Sequence, residues 1–285
     1  MSVFLKELFK KIQEDDVFFL AGGLAFNIVL AGVPFFLLLA AGLGYLLGQS
    51  VEAASETVTS VVSMLLPAGV AASGASMLDP ILADVVRTRA AVGIGGALGF
   101  AWFSTRLFGS LRTVMAMIFE RRGDRNFFRG KLWDMYLALS AAVLVTIWVT
   151  VNTYIVVGTG RLGNVLTQLG ILGSVVSGVE YTIARIISIA LIGLIFFSLY
   201  RWLPMRRTPW KIALIGGGVA AALFELARWV FAMVTERVDT TSLYTGSLAA
   251  LVIVVFWVYY GAVIFLIGAE VAHAAEKALA PIEAQ

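Results

Sequence analysis

The chain has 285 residues, of which 60% are hydrophobic and only 14% charged, with a mean hydropathy of +0.92 and a formal net charge of +3. An average soluble domain is about a quarter charged, so a soluble globular fold is excluded and a bilayer is the solvent that fits. No cysteine is present, which excludes disulfides and thiolate metal sites.

In chain order, Met1–Asp16 carries Lys6, Lys10 and Lys11 ahead of the first apolar run. Val3, Phe4, Leu5, Leu8, Phe9 and Ile12 share one side of a helix, which predicts a short amphipathic interfacial helix. The run that follows is too long for a signal-peptide core and reads as an uncleaved span. Six spans are predicted: Val17–Leu47, Ala90–Phe119, Leu132–Val157, Tyr181–Tyr200, Trp210–Val234 and Leu243–Ala269. Val17–Val51 and Thr240–Ala269 contain no charged side chain, and about 20 apolar residues suffice to cross the hydrocarbon core. Pro34 falls mid-run in the first span and predicts a helix kink there. The expected fold is therefore all-α, a polytopic membrane helix bundle of about six spans with short interfacial helices. Its expected division is a cytoplasmic amphipathic segment 1–16, a transmembrane domain 17–270 and a cytoplasmic tail 271–285.

The connections divide by charge. Arg106, Arg112, Arg121, Arg122, Arg125, Arg129 and Lys131 run from the inner end of the second span to the start of the third, and Arg201, Arg206, Arg207 and Lys211 lie around the link between the fourth and fifth. The alternate connections hold only Arg87 and Arg89, then Arg161, then Arg237. Cations near span ends stay on the cytoplasmic side, so both termini are predicted to be cytoplasmic. The two longer outer connections, Val58–Val86 and Gly158–Gly178, are apolar and rich in Gly or Pro, and suit short helices lying on the outer face. Gly44-x-x-x-Gly48, Gly95-x-x-x-Gly99 and Gly216–Gly218 have the small-residue spacing of close helix contacts, read as packing within the chain.

Several short motifs fall in one order. They are Leu24-Ala25-Phe26-Asn27 with Pro34, Trp102-Phe103-Ser104-Thr105-Arg106, Tyr200-Arg201-Trp202-Leu203-Pro204 and Pro209-Trp210. Then come Phe224-Glu225, Tyr244-Thr245-Gly246-Ser247-Leu248, Trp257-Val258-Tyr259-Tyr260 and Leu266-Ile267-Gly268-Ala269-Glu270. From about residue 10 to 277 the chain resembles the YihY/BrkB family of bacterial inner-membrane proteins, once labelled ribonuclease BN. Asn27 and Thr245 depart from the family pattern. The resemblance implies six helices in the bacterial cytoplasmic (inner) membrane and little about activity, although envelope or lipid-related transport has been suggested for some members.

A metal-dependent nuclease needs clustered His, Asp or Glu. This chain has one histidine, His273, with Glu270 and Glu276 at helical spacing. It reads as a polar residue near the interface, so no metal, no cofactor and no nucleic acid are expected. The basic Arg106–Lys131 stretch is what orientation and anionic headgroups demand. No serine or threonine stands with a base in a nucleophilic arrangement, so no enzymatic activity is expected.

Charges inside the spans carry the functional reading. Glu225 and Arg228 share a face of the fifth helix, Arg185 and Glu180 lie in the outer part of the fourth, and Asn152 and Tyr244 could complete a network. This set is either a polar cavity binding an anionic headgroup or solute, or an ion-pair cluster that locks helices, with the structural reading slightly favoured. Glu270 and Arg106 form a second set on the cytoplasmic side, where Glu270 is taken as interfacial. The leading expectation is a transporter or flippase-like protein for a lipid or amphiphilic envelope component. The alternative is a non-transporting scaffold for envelope machinery, with a small-ion channel as a weaker third. Membrane lipids are the expected partners, with a homo-oligomer or an envelope protein as further candidates.

Overall fold

The computed structural model describes residues 2–46, 89–120, 130, 132–133, 135–140, 143, 173–204, 207–235 and 245–279. Among them all regular structure is helical and there is no strand. The bounded helices are α1 (Ser2–Glu14), α2 (Val17–Leu46), α3 (Arg89–Ile118), α4 (Gly173–Trp202), α5 (Trp210–Thr235) and α6 (Thr245–Leu279). Residues 135–140 are also helical, inside the expected third span. Asn152, Tyr244 and the Val58–Val86 connection lie outside the described residues.

α2, α3 and α5 match the expected spans to within one residue at each end. Two helices run further. α4 begins at Gly173 rather than Tyr181, taking up the end of what reads as a Gly-rich connection. α6 continues to Leu279 rather than stopping at Ala269. Its 35 residues extend over about 50 Å at 1.5 Å per residue, well beyond a hydrocarbon core of about 30 Å. The helix is therefore longer than one crossing of the hydrocarbon core requires. By length and composition, Trp210–Val234 and Val252–Leu279 each suffice to cross a bilayer, and Glu7–Glu14 with Val17–Gly32 forms a pair bent by 56° that passes together.

α2 packs on α3 and on α6, while α5 packs between α4 and α6. Small residues set how closely these helices approach. A Cβ on Gly216 would come within 2.8 Å of both the Gly268 carbonyl oxygen and the Ala272 Cβ, and one on Gly268 would meet the Tyr200 hydroxyl and stand 2.9 Å from the Ala220 Cβ. These glycines form the α4–α5–α6 notch. Tyr200, fully buried, fills it and donates its hydroxyl hydrogen to the Phe265 carbonyl at 2.7 Å. Gly99 faces the Pro34 Cβ at 3.4 Å, whereas Gly95 and Gly218 face open space. Pro34 lies inside α2, whose helical assignment continues through it. Asn27 ties α2 to α3 by donating to the Ser110 hydroxyl at 3.0 Å. Large apolar side chains such as Phe19, Trp102, Leu214 and Trp229 point outward, as lipid-facing residues do.

Candidate functional site

The most polar buried region described lies where α1, the end of α3 and the end of α6 meet. α1 leads into α2 through a tight elbow. The Asp15 amide donates to the Lys11 carbonyl at 2.9 Å, and Asp16 adopts a left-handed conformation (φ 48°). The Asp16 carbonyl then accepts from Phe19 and Leu20, which starts α2. This elbow lays α1 against α6, with Ile12 buried and Leu8 packed beside it. Phe9, assigned to the same apolar side, is exposed.

α3 ends in a second left-handed residue, Glu120 (φ 53°). Glycine is the usual occupant of such a position. A glutamate here supplies a carboxylate whose Oε1 accepts from Lys11 Nζ at 2.9 Å and from Lys277 Nζ at 3.1 Å. The hydrogen bond from Lys11, followed by that from Lys277, holds its carboxyl at about 2. The same bond raises the Lys11 ammonium above its ordinary value. One carboxylate thus fastens the N-terminal helix, the end of α3 and the end of α6 together.

Beneath that clasp lie Glu270, 1% exposed, and His273, 6% exposed. They stand three residues apart on α6 and so share a face. The expectation of a polar surface His273 is corrected, and Glu270 beside it is buried as well: α1 and the α3 terminus cover them. Glu270 Oε1 and both His273 ring nitrogens have no hydrogen-bond partner within the protein. The Phe119 ring meets the imidazole edge-on at 5.4 Å, and Glu120 Oε1 is 4.0 Å from Nε2. Asp15 Oδ2, like Glu270 Oε1, is a buried oxygen without a hydrogen-bond partner, and the Asp15 carboxyl is among the charged groups that act on Glu270. A cavity of about 350 Å³ opens over these groups, lined by Glu7, Leu8, Lys11, Glu270, His273 and Lys277 with Ala274 and Ala278. Arg106, paired with Glu270 in the sequence reading, is instead an exposed residue of α3. It precedes Glu120 by fourteen positions, about 21 Å along a helix, too far to reach Glu270. Among the described residues, no three His, Asp or Glu side chains form a metal-holding group.

The sequence-predicted cluster is only partly in view. Arg228 Nη1 donates to Glu225 Oε2 at 3.3 Å, so this pair is internal to α5. Glu180 and Arg185 fall within α4, but their side chains lie outside the described residues. The sequence missed Lys11, Asp15, Glu120 and Lys277 as members of one site, because they come from three remote segments. Two signals were available: two polar residues at one-turn spacing closing an apolar helix, and the Asp15-Asp16 doublet interrupting another.

The family model described as "Virulence factor BrkB" matches residues 8–284. The chain belongs to the BrkB family. Curated relatives are named only as UPF0761 membrane proteins. The one from Halorhodospira halophila is 28% identical over 272 residues, covering 94% of this chain and 56% of the relative. That from Pseudoalteromonas atlantica is 22% identical over 276 residues, 96% of this chain and 86% of the relative. One from Vibrio cholerae is 28% identical over 273 residues, 95% and 86%. The chain thus spans little more than half the length of several of these relatives. No solved structure matches it. This BrkB-family chain is accordingly a helical membrane protein, as the resemblance implied.

Proposed function

We propose that this protein moves a lipid or amphiphilic envelope component across the bacterial inner membrane, through a six-span bundle with both termini in the cytoplasm. One observation carries the reading: the cavity between α1 and α6, with a polar floor (Glu270, His273), cationic Lys11 and Lys277, and an apolar wall (Leu8, Ala274, Ala278). An amphiphile entering from the inner leaflet needs this combination, since its headgroup needs polar partners while its chain stays in lipid. Lys11 and Lys277 would receive an anionic or phosphate group by exchanging their exposed bonds to Glu120, pairs of a kind that contributes only about 0–1 kcal/mol. Glu225 and Arg228 would serve, together with the sequence-expected Glu180, Arg185, Asn152 and Tyr244, as a second polar station in the outer half of the membrane, with Pro34 as the expected kink. No catalytic step is assigned to either station.

The scaffold reading draws support from the close-packed Gly216–Gly268 notch and from Tyr200, which fills it and bonds across to α6. Both features suit a rigid bundle. Reconstitution into liposomes separates the two readings. Wild type should move fluorescent phospholipids between leaflets faster than protein-free vesicles do, and Lys11→Ala with Lys277→Ala should slow the movement severalfold. Rates equal to empty vesicles across zwitterionic and anionic lipids would leave the scaffold standing.

A further inference from the structure

Glu270 and His273 occupy positions where an apolar residue would pack without cost. Both are more than nine-tenths buried, both line the cavity, and three of their polar atoms find no partner in the protein. Water or a ligand must reach such atoms through the opening between α1 and α6. The charged groups around them come from four places. α1 contributes Glu7 and Lys11, the elbow contributes Asp15, the α3 terminus contributes Glu120, and α6 itself adds Glu276 and Lys277. Lys277 is engaged by Glu120 at 3.1 Å, and Lys11 lies 2.9 Å from Glu120 against 3.6 Å from Asp15. The cations therefore lean toward Glu120, which leaves Asp15 Oδ2 and Glu270 Oε1 as interacting carboxyls whose buried oxygens have no donor.

Carboxylate oxygens only accept hydrogen bonds, so two carboxyls can bond to one another only with a proton between them. Without it, two like charges confront each other in a poorly solvated place. We propose that Asp15 and Glu270 form a proton-binding site at the α1 end of the bundle, that His273 exchanges this proton with the cavity, and that its release frees α1 from α6.

The balance is simple. The O–H bond of the shared proton breaks, an N–H bond forms on His273, and the proton passes from there to cavity water, leaving both carboxylates charged. Asp15 belongs to the elbow that aims α1, so repulsion between it and Glu270 acts directly on the contact that closes the cavity. As the coupling ion for amphiphile movement, the proton rests on the function proposed above, but the site itself can be tested without any transport assay.

The absence of cysteine makes paired labelling clean. Lys10→Cys on exposed α1 and Leu279→Cys at the end of α6 would carry spin labels in the full chain reconstituted in liposomes. Their separation would be read by pulsed paramagnetic resonance from about pH 5 to about pH 9, a range that covers shared carboxyls and imidazole. In parallel, infrared difference spectra would follow the protonated-carboxyl stretch. The expected result is a carboxyl band that disappears as pH rises, together with a lengthening label distance. Glu270→Gln, a permanent mimic of the protonated form, should remove the band and hold the distance short at every pH. Asp15→Asn should also remove the band, and Glu270→Asp should restore a titrating one. A purely structural Glu270 would give no titrating band in wild type, or one untouched by both amide variants, and either outcome overturns the proposal. Vesicles that move no lipid while band and distance still titrate would sink the transport reading and leave the proton site intact.

Discussion

Glu120 holds a left-handed backbone conformation that costs a non-glycine residue on the order of 1–3 kcal/mol, and it is retained where its carboxylate meets two lysines. Glu120→Gly should therefore relax the backbone while releasing α1, whereas Glu120→Asn keeps a residue that tolerates the conformation and removes only the charge. Both variants should increase protease cleavage within α1, with little change in the melting temperature of the bundle. The pH dependence follows from the same group. Its folded-state value is lowered from 4.5 to about 2, so its contribution is fully present above about pH 4.5 and fades as pH falls toward 2. Because the Glu120 side chain is 51% exposed, each pair adds at most about 1 kcal/mol. Acid titration of α1 protection should show this fading in wild type, and Glu120→Gln should lack it.

At the scale of helices, glycine placement separates packing from looseness. Gly216→Ala or Gly268→Ala would drive a methyl group into the facing backbone or the Tyr200 hydroxyl, an overpacking expected to cost about 1–3 kcal/mol. Gly218→Ala meets nothing within 4 Å and should be neutral, or stabilising by up to about 1 kcal/mol through helix propensity. Thermal unfolding of the three variants in detergent provides the comparison. Tyr200→Phe keeps the stacking on Phe265 but removes the hydroxyl bond to that residue's carbonyl, which still accepts within its helix, at about 0.5–1.5 kcal/mol. The pattern Gly216–Gly218 was legible in the sequence, but which of its members faces a partner was not. Facing depends on the rotation of α5 against α4 and α6, which no local propensity fixes.

For the whole molecule, Lys11, Glu120 and Lys277 meet at one end of the bundle, so α1 and the end of α6 lie on the same side. If that side is the cytoplasm, as the distribution of arginines predicts, reporters fused at either terminus should both report a cytoplasmic location. A reporter at residue 160 should report the opposite compartment. The signal is independent of the cavity and tests the six-span count by itself.

The sequence determined the solvent, the helical class, the family and most helix limits, because apolar run length and charge asymmetry are properties of contiguous residues. It also contained the Glu225–Arg228 pair, since three-residue spacing puts both on one face of α5. Only the tertiary structure decided that Glu270 and His273 are buried. Their cover comes from Asp15 and Lys11 at the start of the chain and from Glu120 near its middle. Burial depends on the neighbours that other segments supply, and here a left-handed turn at Asp16 and another at Glu120 brought those neighbours in.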